Sequence, residues 1–206
     1  MKKVLMLAGV LTVAVSSFAL NAVAPAGALC QPGKKAFEQL KGENAVAETV
    51  KLAASLEKMT DFQAIPAAVC YATYQVEGQS LVDFARANAN NYRHVVAKQL
   101  KNFASRVETL SQQAAEDVCR PGKEAFEAEV ADLDVEDFRI IQSILRLADS
   151  LEGLSAAPAL PVTACYATYQ VNDKPLATFI QENNGQFRNV VNKQLASFQK
   201  QLTEVK

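Results

Sequence analysis

"CYATYQV" occupies residues 70–76, and the same seven residues return at residues 165–171. Three other segments recur in the same order along the chain: CQPGKKAFE (30–38) as CRPGKEAFE (119–127), LAASLE (52–57) as LADSLE (147–152), and YRHVVAKQLKNF (92–103) as FRNVVNKQLASF (187–198). Similar segments in a repeated order are the signature of repeated structural units. The sequence therefore predicts two tandem units, residues 29–113 and residues 114–206.

The N-terminal residues have the layout of a secretory signal peptide. Lys2 and Lys3 precede the apolar run VLMLAGVLTVAVSSFAL, and small residues follow in ALNAVAPAGA. The strongly apolar part is shorter than the roughly 20 residues that a membrane-spanning helix needs. We therefore predict a cleaved signal peptide at residues 1–28, a periplasmic or secreted protein, and no transmembrane segment.

The charge balance argues against one class of partner. The chain has 21 basic and 22 acidic residues, and loss of Lys2 and Lys3 would leave 19 basic residues and a net charge near −3. Nucleic-acid binding proteins carry basic runs or patches that neutralise phosphates. A slightly acidic chain without a basic run is therefore predicted not to bind nucleic acid.

The cysteines predict two disulfides. Cys30, Cys70, Cys119 and Cys165 form an even set in a chain with a signal-peptide layout, which is typical of disulfide bonding. Of the three possible pairings, Cys30–Cys70 with Cys119–Cys165 is the one that closes each unit on itself. The chain has no CxxC pair and its only histidine is His94. We therefore expect no metal site and no cofactor.

Apolar residues recur at helical spacing in both units. The clearest stripe lies near the end of each unit: Tyr92, Val96, Leu100, Phe103, Val107 and Leu110 in the first, and Phe187, Val191, Leu195, Phe198, Leu202 and Val205 in the second. Such a stripe is typical of a helix that buries one face in a core. The predicted fold is therefore all-α, with three to five helices in each disulfide-stapled unit.

The CYATYQV segment itself allows two structures. Its Tyr, Thr and Val residues favour a strand, and VEGQ or VNDK could form a hairpin turn. Pro66 and Pro161 stand four residues before the cysteines, a position that suits the first turn of a helix. On this basis we predict a short helix at about residues 66–76 and 161–171.

The sequence offers no constellation for catalysis. Nucleophilic catalysis by Ser or Cys needs a nearby base, most often His. His94 is replaced by Asn189 in the second unit, there is no GxSxG element, and disulfide-bonded cysteines are not nucleophiles. We therefore predict that the protein is not an enzyme.

Two further features are interpreted as structural. The PGK that follows closely after Cys30 and Cys119 is interpreted as turn chemistry before a helix. An acidic cluster in the second unit is interpreted as a solvated face, since charge runs usually are one. Its members are Glu127, Glu129, Asp132, Asp134, Glu136 and Asp137.

The candidate binding residues are those that combine apolar area with polar groups and recur in both units. Tyrosine has this character and is enriched at interfaces, although packing around the disulfide as core is the alternative role. An arginine recurs at the start of each apolar stripe. The candidates are Tyr71, Tyr74, Tyr166, Tyr169, Arg93 and Arg188.

The functional prediction is an exported, non-enzymatic helical protein that acts through binding or protein–protein interaction. A carrier that holds a small apolar ligand between helices is the alternative. The plan of each unit also resembles small periplasmic acid-stress chaperones, which are exported, all-helical and closed by one disulfide over a loop of similar length. That resemblance implies a chaperone-like stress protein as a further alternative, although the tandem arrangement differs.

Overall fold

Helices make up most of the computed structural model, which describes residues 26–112, 119–133 and 137–204. The first half contains α1 (Ala26–Glu38), α2 (Glu43–Lys58), α3 (Asp61–Ala72), β1 (Gln75–Val76), β2 (Gln79–Ser80), α4 (Leu81–Ala89) and α5 (His94–Ser111). The second half contains α6 (Arg120–Val130), α7 (Phe138–Glu152), α8 (Ala156–Tyr166), β3 (Gln170–Val171), β4 (Lys174–Pro175), α9 (Leu176–Asn183) and α10 (Asn189–Glu204). The predicted mainly helical fold is confirmed for these residues.

Several sequence predictions concern other parts of the chain. Residues 1–25, which include nearly all of the predicted signal peptide at 1–28, lie outside the described residues. The predicted unit boundary at 113/114 and the acidic residues Asp134 and Glu136 also lie outside them. Among the helices that are described, none is both long enough and apolar enough to cross a membrane.

The helix that carries Cys70 begins earlier and ends earlier than predicted. Helix α3 starts after Thr60, where the Gln63 side-chain Oε1 accepts a hydrogen bond from the Thr60 backbone N at 3.4 Å. Pro66 therefore lies inside the helix instead of in its first turn. The prediction of a helix over 66–76 is wrong at its start, because this N-terminal cap outweighs the preference of proline for a first turn, and at its end, because a hairpin follows. The prediction over 161–171 is wrong in the same way, since α8 spans Ala156–Tyr166 and contains Pro161.

A two-stranded hairpin follows α3, and another follows α8. Strand β1 pairs antiparallel with β2, and β3 pairs antiparallel with β4. The turns have positive φ at Glu77 (51°) and Gly78 (80°), and at Asn172 (52°) and Asp173 (60°). Two successive positive φ values are what a tight hairpin turn requires. The repeated heptapeptide thus spans both structures that its composition allowed: its cysteine lies in the last turn of a helix, and its final Gln-Val pair forms the first strand of a hairpin.

The disulfide pairing is the predicted one. Cys30 in α1 bonds Cys70 in α3, and Cys119 just before α6 bonds Cys165 in α8, with Cα separations of 5.2 and 5.5 Å. The loops span 40 and 46 residues, for which the chain-entropy model gives about 4 kcal/mol of stabilisation per bond. Two disulfides indicate an oxidising environment outside the cytoplasm.

The two halves share one hydrophobic core. Helix α1 of the first half packs against α8 of the second, and α3 packs against both α6 and α8. The Phe62 ring in α3 lies 6.3 and 5.5 Å from the rings of Tyr166 and Tyr169. The Tyr74 hydroxyl donates to the Ala157 carbonyl at 3.3 Å. Most of the buried apolar side chains of both halves therefore belong to one contiguous cluster, and Val69, Cys119 and Cys165 form a second, small one.

Candidate functional site

The four candidate tyrosines lie in the core. Tyr71, Tyr74, Tyr166 and Tyr169 are each 0 % exposed. In each half the two rings contact each other, with centroids 5.4 and 5.2 Å apart. The structure thus places them where the core-packing alternative requires, and it offers none of their rings to a partner at the surface. A binding role for these tyrosines would require the core to open.

The glycine of each PGK motif makes room for a tyrosine. A Cβ on Gly33 would collide with the Tyr74 hydroxyl, and a Cβ on Gly122 would lie 2.7 Å from the Tyr169 hydroxyl and 2.8 Å from the Phe62 ring. Gly33 lies inside α1, so the interpretation of this motif as a turn before a helix is wrong there. The glycine of the motif allows close packing against a tyrosine, which the sequence pattern alone did not indicate.

The tyrosine hydroxyls differ in their hydrogen bonding. The Tyr166 hydroxyl accepts from Gln63 Nε2 at 3.4 Å and lies 3.1 Å from Ser150 Oγ. The Tyr71 and Tyr169 hydroxyls are buried and have no hydrogen-bond partner among the residues described. An unpaired buried hydroxyl costs stability, whereas a paired one contributes to it. The two halves are therefore equivalent in packing but not in polar contacts.

Burial also determines the ionisation of these tyrosines. Loss of solvation disfavours the charged phenolate, so burial raises the pKa of Tyr71, Tyr74, Tyr166 and Tyr169 above the ordinary value of 10.0. For Tyr71 and Tyr169 the neighbouring tyrosine of the same pair raises the pKa further. All four phenols are neutral across the physiological pH range, which suits a structural role.

A groove at the surface of the first half lies between α2 and the start of α5. It has a volume of about 400 Å³. Two side chains on the α5 side are large, apolar and exposed: Tyr92 is 39 % exposed and Val95 is 68 % exposed. The residues that line the groove are Glu43, Val46, Ala47, Val50, Tyr92 and Val96.

A second groove of about 400 Å³ lies between α7 and the start of α10. Phe138 is 49 % exposed and its ring lies 6.3 Å from that of Phe187. Val190, which precedes the lining residue Val191 in α10, is 69 % exposed. The lining residues are Phe138, Gln186, Phe187, Arg188 and Val191.

The two grooves occupy matching positions in the repeated segments. In the alignment of YRHVVAKQL with FRNVVNKQL, Tyr92 matches Phe187, and Val95 matches Val190. Sequence reasoning assigned the stripe that includes Tyr92 to the core and missed the exposure of Val95. The detectable signal was the doublet of valines in both segments, since only one valine of each doublet belongs to the buried stripe.

The candidate arginines are not part of the buried tyrosine core. Arg188 lines the second groove, and Arg93, its counterpart in the repeat, follows the lining residue Tyr92 and immediately precedes α5. Both side chains are exposed, and neither forms a salt bridge with any described residue. The structure thus separates the predicted site into a buried tyrosine core and two exposed arginine positions.

The described part of the acidic cluster is used in local contacts. Asp137 caps α7 by accepting from the Arg139 backbone N at 2.8 Å, and the Arg139 side chain holds the Asp137 pKa below its ordinary value. Glu129 accepts a hydrogen bond from Ser143 Oγ at 2.8 Å. Within the described ranges, no group of three or more His, Cys, Asp or Glu side chains is arranged to hold a metal ion.

No protein-family model matches this chain, and comparisons with curated proteins and with solved structures found no match. We therefore infer the function from the geometry of the grooves and of the core.

Replacing Tyr166 and Tyr169 by phenylalanine distinguishes paired from unpaired hydroxyls. We expect Tyr166→Phe to lower the free energy of unfolding by about 1–2 kcal/mol, because its hydroxyl contacts both Gln63 and Ser150. Tyr169→Phe removes an unpaired group and should leave stability unchanged or raise it. Urea denaturation followed by circular dichroism measures both. Equal losses in the two variants would contradict this account of the core.

Stability should fall in alkali. The unfolded phenols ionise near their ordinary pKa of 10.0, whereas the folded ones resist ionisation because they are buried. The stabilisation is therefore complete below about pH 10 and is lost as the pH rises toward the folded pKa, at up to about 1.4 kcal/mol per pH unit for each tyrosine. Urea midpoints between about pH 8 and about pH 11 test this. A constant midpoint, or an equal slope in Tyr169→Phe, would disprove it.

Proposed function

We propose that this protein is an exported, non-enzymatic binding protein that acts through protein–protein contacts at its two surface grooves. It consists of two tandem, disulfide-stapled helical units, residues 29–113 and 114–206, that follow a cleaved signal peptide at residues 1–28. The signal peptide directs it to the periplasm or to the exterior. The two disulfides support this location, because such bonds persist in oxidising compartments.

The observation that carries the proposal is apolar exposure at matched positions in both halves. Single exposed apolar side chains are common on protein surfaces and need no explanation. Here the exposed Tyr92 lines an apolar groove together with Val46 and Val96, and the exposed Val95 directly precedes Val96 in the chain. Apolar patches of this kind, with polar residues around them, are typical of interaction sites.

Two grooves on one rigid chain allow a bivalent contact. The grooves belong to different helix pairs, but both pairs are anchored to the same shared core. A partner with two binding segments would bind the second groove as an intramolecular step, which raises overall affinity without new contacts. Duplication of the unit therefore has a functional consequence beyond stability.

Glutamate substitutions at the exposed valines test the proposal. Val95→Glu and Val190→Glu, singly and together, place a charge beside each groove without disturbing a buried side chain. The mature protein and these variants would be used to capture partners from envelope and culture-supernatant extracts, with bound proteins identified by mass spectrometry. We expect each single variant to weaken capture and the double variant to abolish it.

Ala87→Glu on α4 is the matched control, because Ala87 is also exposed but lies away from both grooves. It should retain every partner. A folded double variant that captures the same proteins as the unaltered chain would sink the proposal. Recovery of a small apolar molecule by solvent extraction, with no protein partner, would favour a carrier instead.

A further inference from the structure

We propose that each groove receives an acidic segment of a partner protein, with an apolar side chain in the groove and neighbouring carboxylates on the exposed arginine beside it. This inference rests on the proposed function and names the chemistry of the partner. Arg93 serves the first groove and Arg188 serves the second. Basic and acidic residues are unevenly distributed around α5 and α10.

The first observation is a segregation of charge. Residues 92–107 contain basic residues and no acidic residue, and so do residues 186–203. The chain as a whole has a formal net charge of −1, so its acidic residues are concentrated elsewhere. The exposed sides of α5 and of most of α10 are therefore positive in a protein that is slightly acidic overall. A positive surface of this kind favours partners that carry negative charge and speeds their association.

The second observation is that most basic side chains of these two segments form no salt bridge, although Lys200 lies 3.6 Å from Glu204 near the end of α10. Many basic side chains elsewhere pair with carboxylates: Lys34 with Glu38, Lys51 with Glu48, Arg86 with Glu108, Lys123 with Glu127, Arg139 with Asp137, Arg146 with Glu129, and Lys174 with Glu182. By contrast, Arg93, Lys98, Arg188 and Lys193 form no salt bridge within the described ranges. Their charges are available to a partner's carboxylates.

The third observation concerns the position of Glu43, the acidic residue of the first groove. Glu43 lines the wall of the first groove that α2 provides, opposite the basic side of α5. A bound carboxylate is therefore repelled from α2 and directed toward Arg93. Phe138 occupies the position of Glu43 in the second groove, so the residues that line this groove include Arg188 and no carboxylate.

These features favour a protein segment over an anionic membrane. Surface-bound membrane proteins present a broad apolar face rimmed by basic residues. Here the apolar surface is divided between two small grooves, and an acidic residue lines one of them. A groove of about 400 Å³ accommodates a few side chains, which matches the anchor residues of a peptide.

The probes are two synthetic amphipathic peptides of about 12 residues, a helix of three turns, with leucines at helical spacing and either glutamates or lysines at all other positions. Each is titrated into isotope-labelled mature protein, and backbone amide shifts near Val95 and Val190 report on the two grooves separately. We expect the glutamate peptide to shift both sets of signals and the lysine peptide to shift neither.

Reversing the charge of one arginine at a time tests whether each arginine contributes to peptide binding at its own groove only. Arg93→Glu should weaken glutamate-peptide binding at the first groove by about tenfold or more and leave the second unchanged, while Arg188→Glu should do the opposite. Lys174→Glu, an exposed charge reversal in the second hairpin, is the control and should change neither groove.

The inference is overturned if the lysine peptide binds as well as the glutamate peptide, if neither peptide shifts the groove signals, or if the arginine variants bind normally. Binding to phosphatidylglycerol vesicles without binding to the glutamate peptide would also overturn it. Failure of the broader proposal is distinguishable. If Val95→Glu and Val190→Glu abolish partner capture while the arginine variants do not, only the charge inference fails.

Discussion

The close contact between a tyrosine ring and a glycine-bearing helix organises the whole molecule. In the first half the disulfide holds α1 against α3, so that Gly33 meets the Tyr74 hydroxyl, and Ala157 of the other half packs at the same point. Gly122 and Tyr169 form the equivalent contact with Phe62. Because each contact involves residues of both halves, the staples and the interface between halves stabilise one another. A side chain at either glycine would press against the tyrosine of its own half and against the neighbouring residue of the other half.

Much of the fold could be predicted because its signals are local or repeated. The helical stripes followed from apolar spacing, and the disulfide pairing followed from the order of the repeated segments. The shared core could not be predicted, because a contact such as Phe62 with Tyr169 joins distant residues that have no pattern in common. The hairpin was one of the two structures that the sequence allowed, but it could not be preferred because Glu77 adopts a positive φ that its residue type does not favour.

The candidate site was predicted only in part, for a related reason. Tyrosine is suited to interfaces and to cores alike, so composition could not decide that Tyr71 and Tyr166 are buried. Val95 lies outside the apolar stripe that the sequence defines, but sequence alone could not show that a groove lies next to that stripe. Arg93 and Arg188 are exposed, and Arg188 lines a groove instead of contacting the tyrosines. The structure therefore assigns the repeated heptapeptide to the core and moves the candidate binding surface to α5 and α10.

Cleavage between the halves tests the shared core most directly. A protease site introduced within residues 113–118 would allow the folded, oxidised protein to be cut after purification. The disulfides lie within the halves, so only noncovalent packing would hold the fragments together. The account predicts that the cut protein elutes in size-exclusion chromatography at the position of the intact chain and unfolds in a single transition. Elution as two separate folded fragments would contradict it.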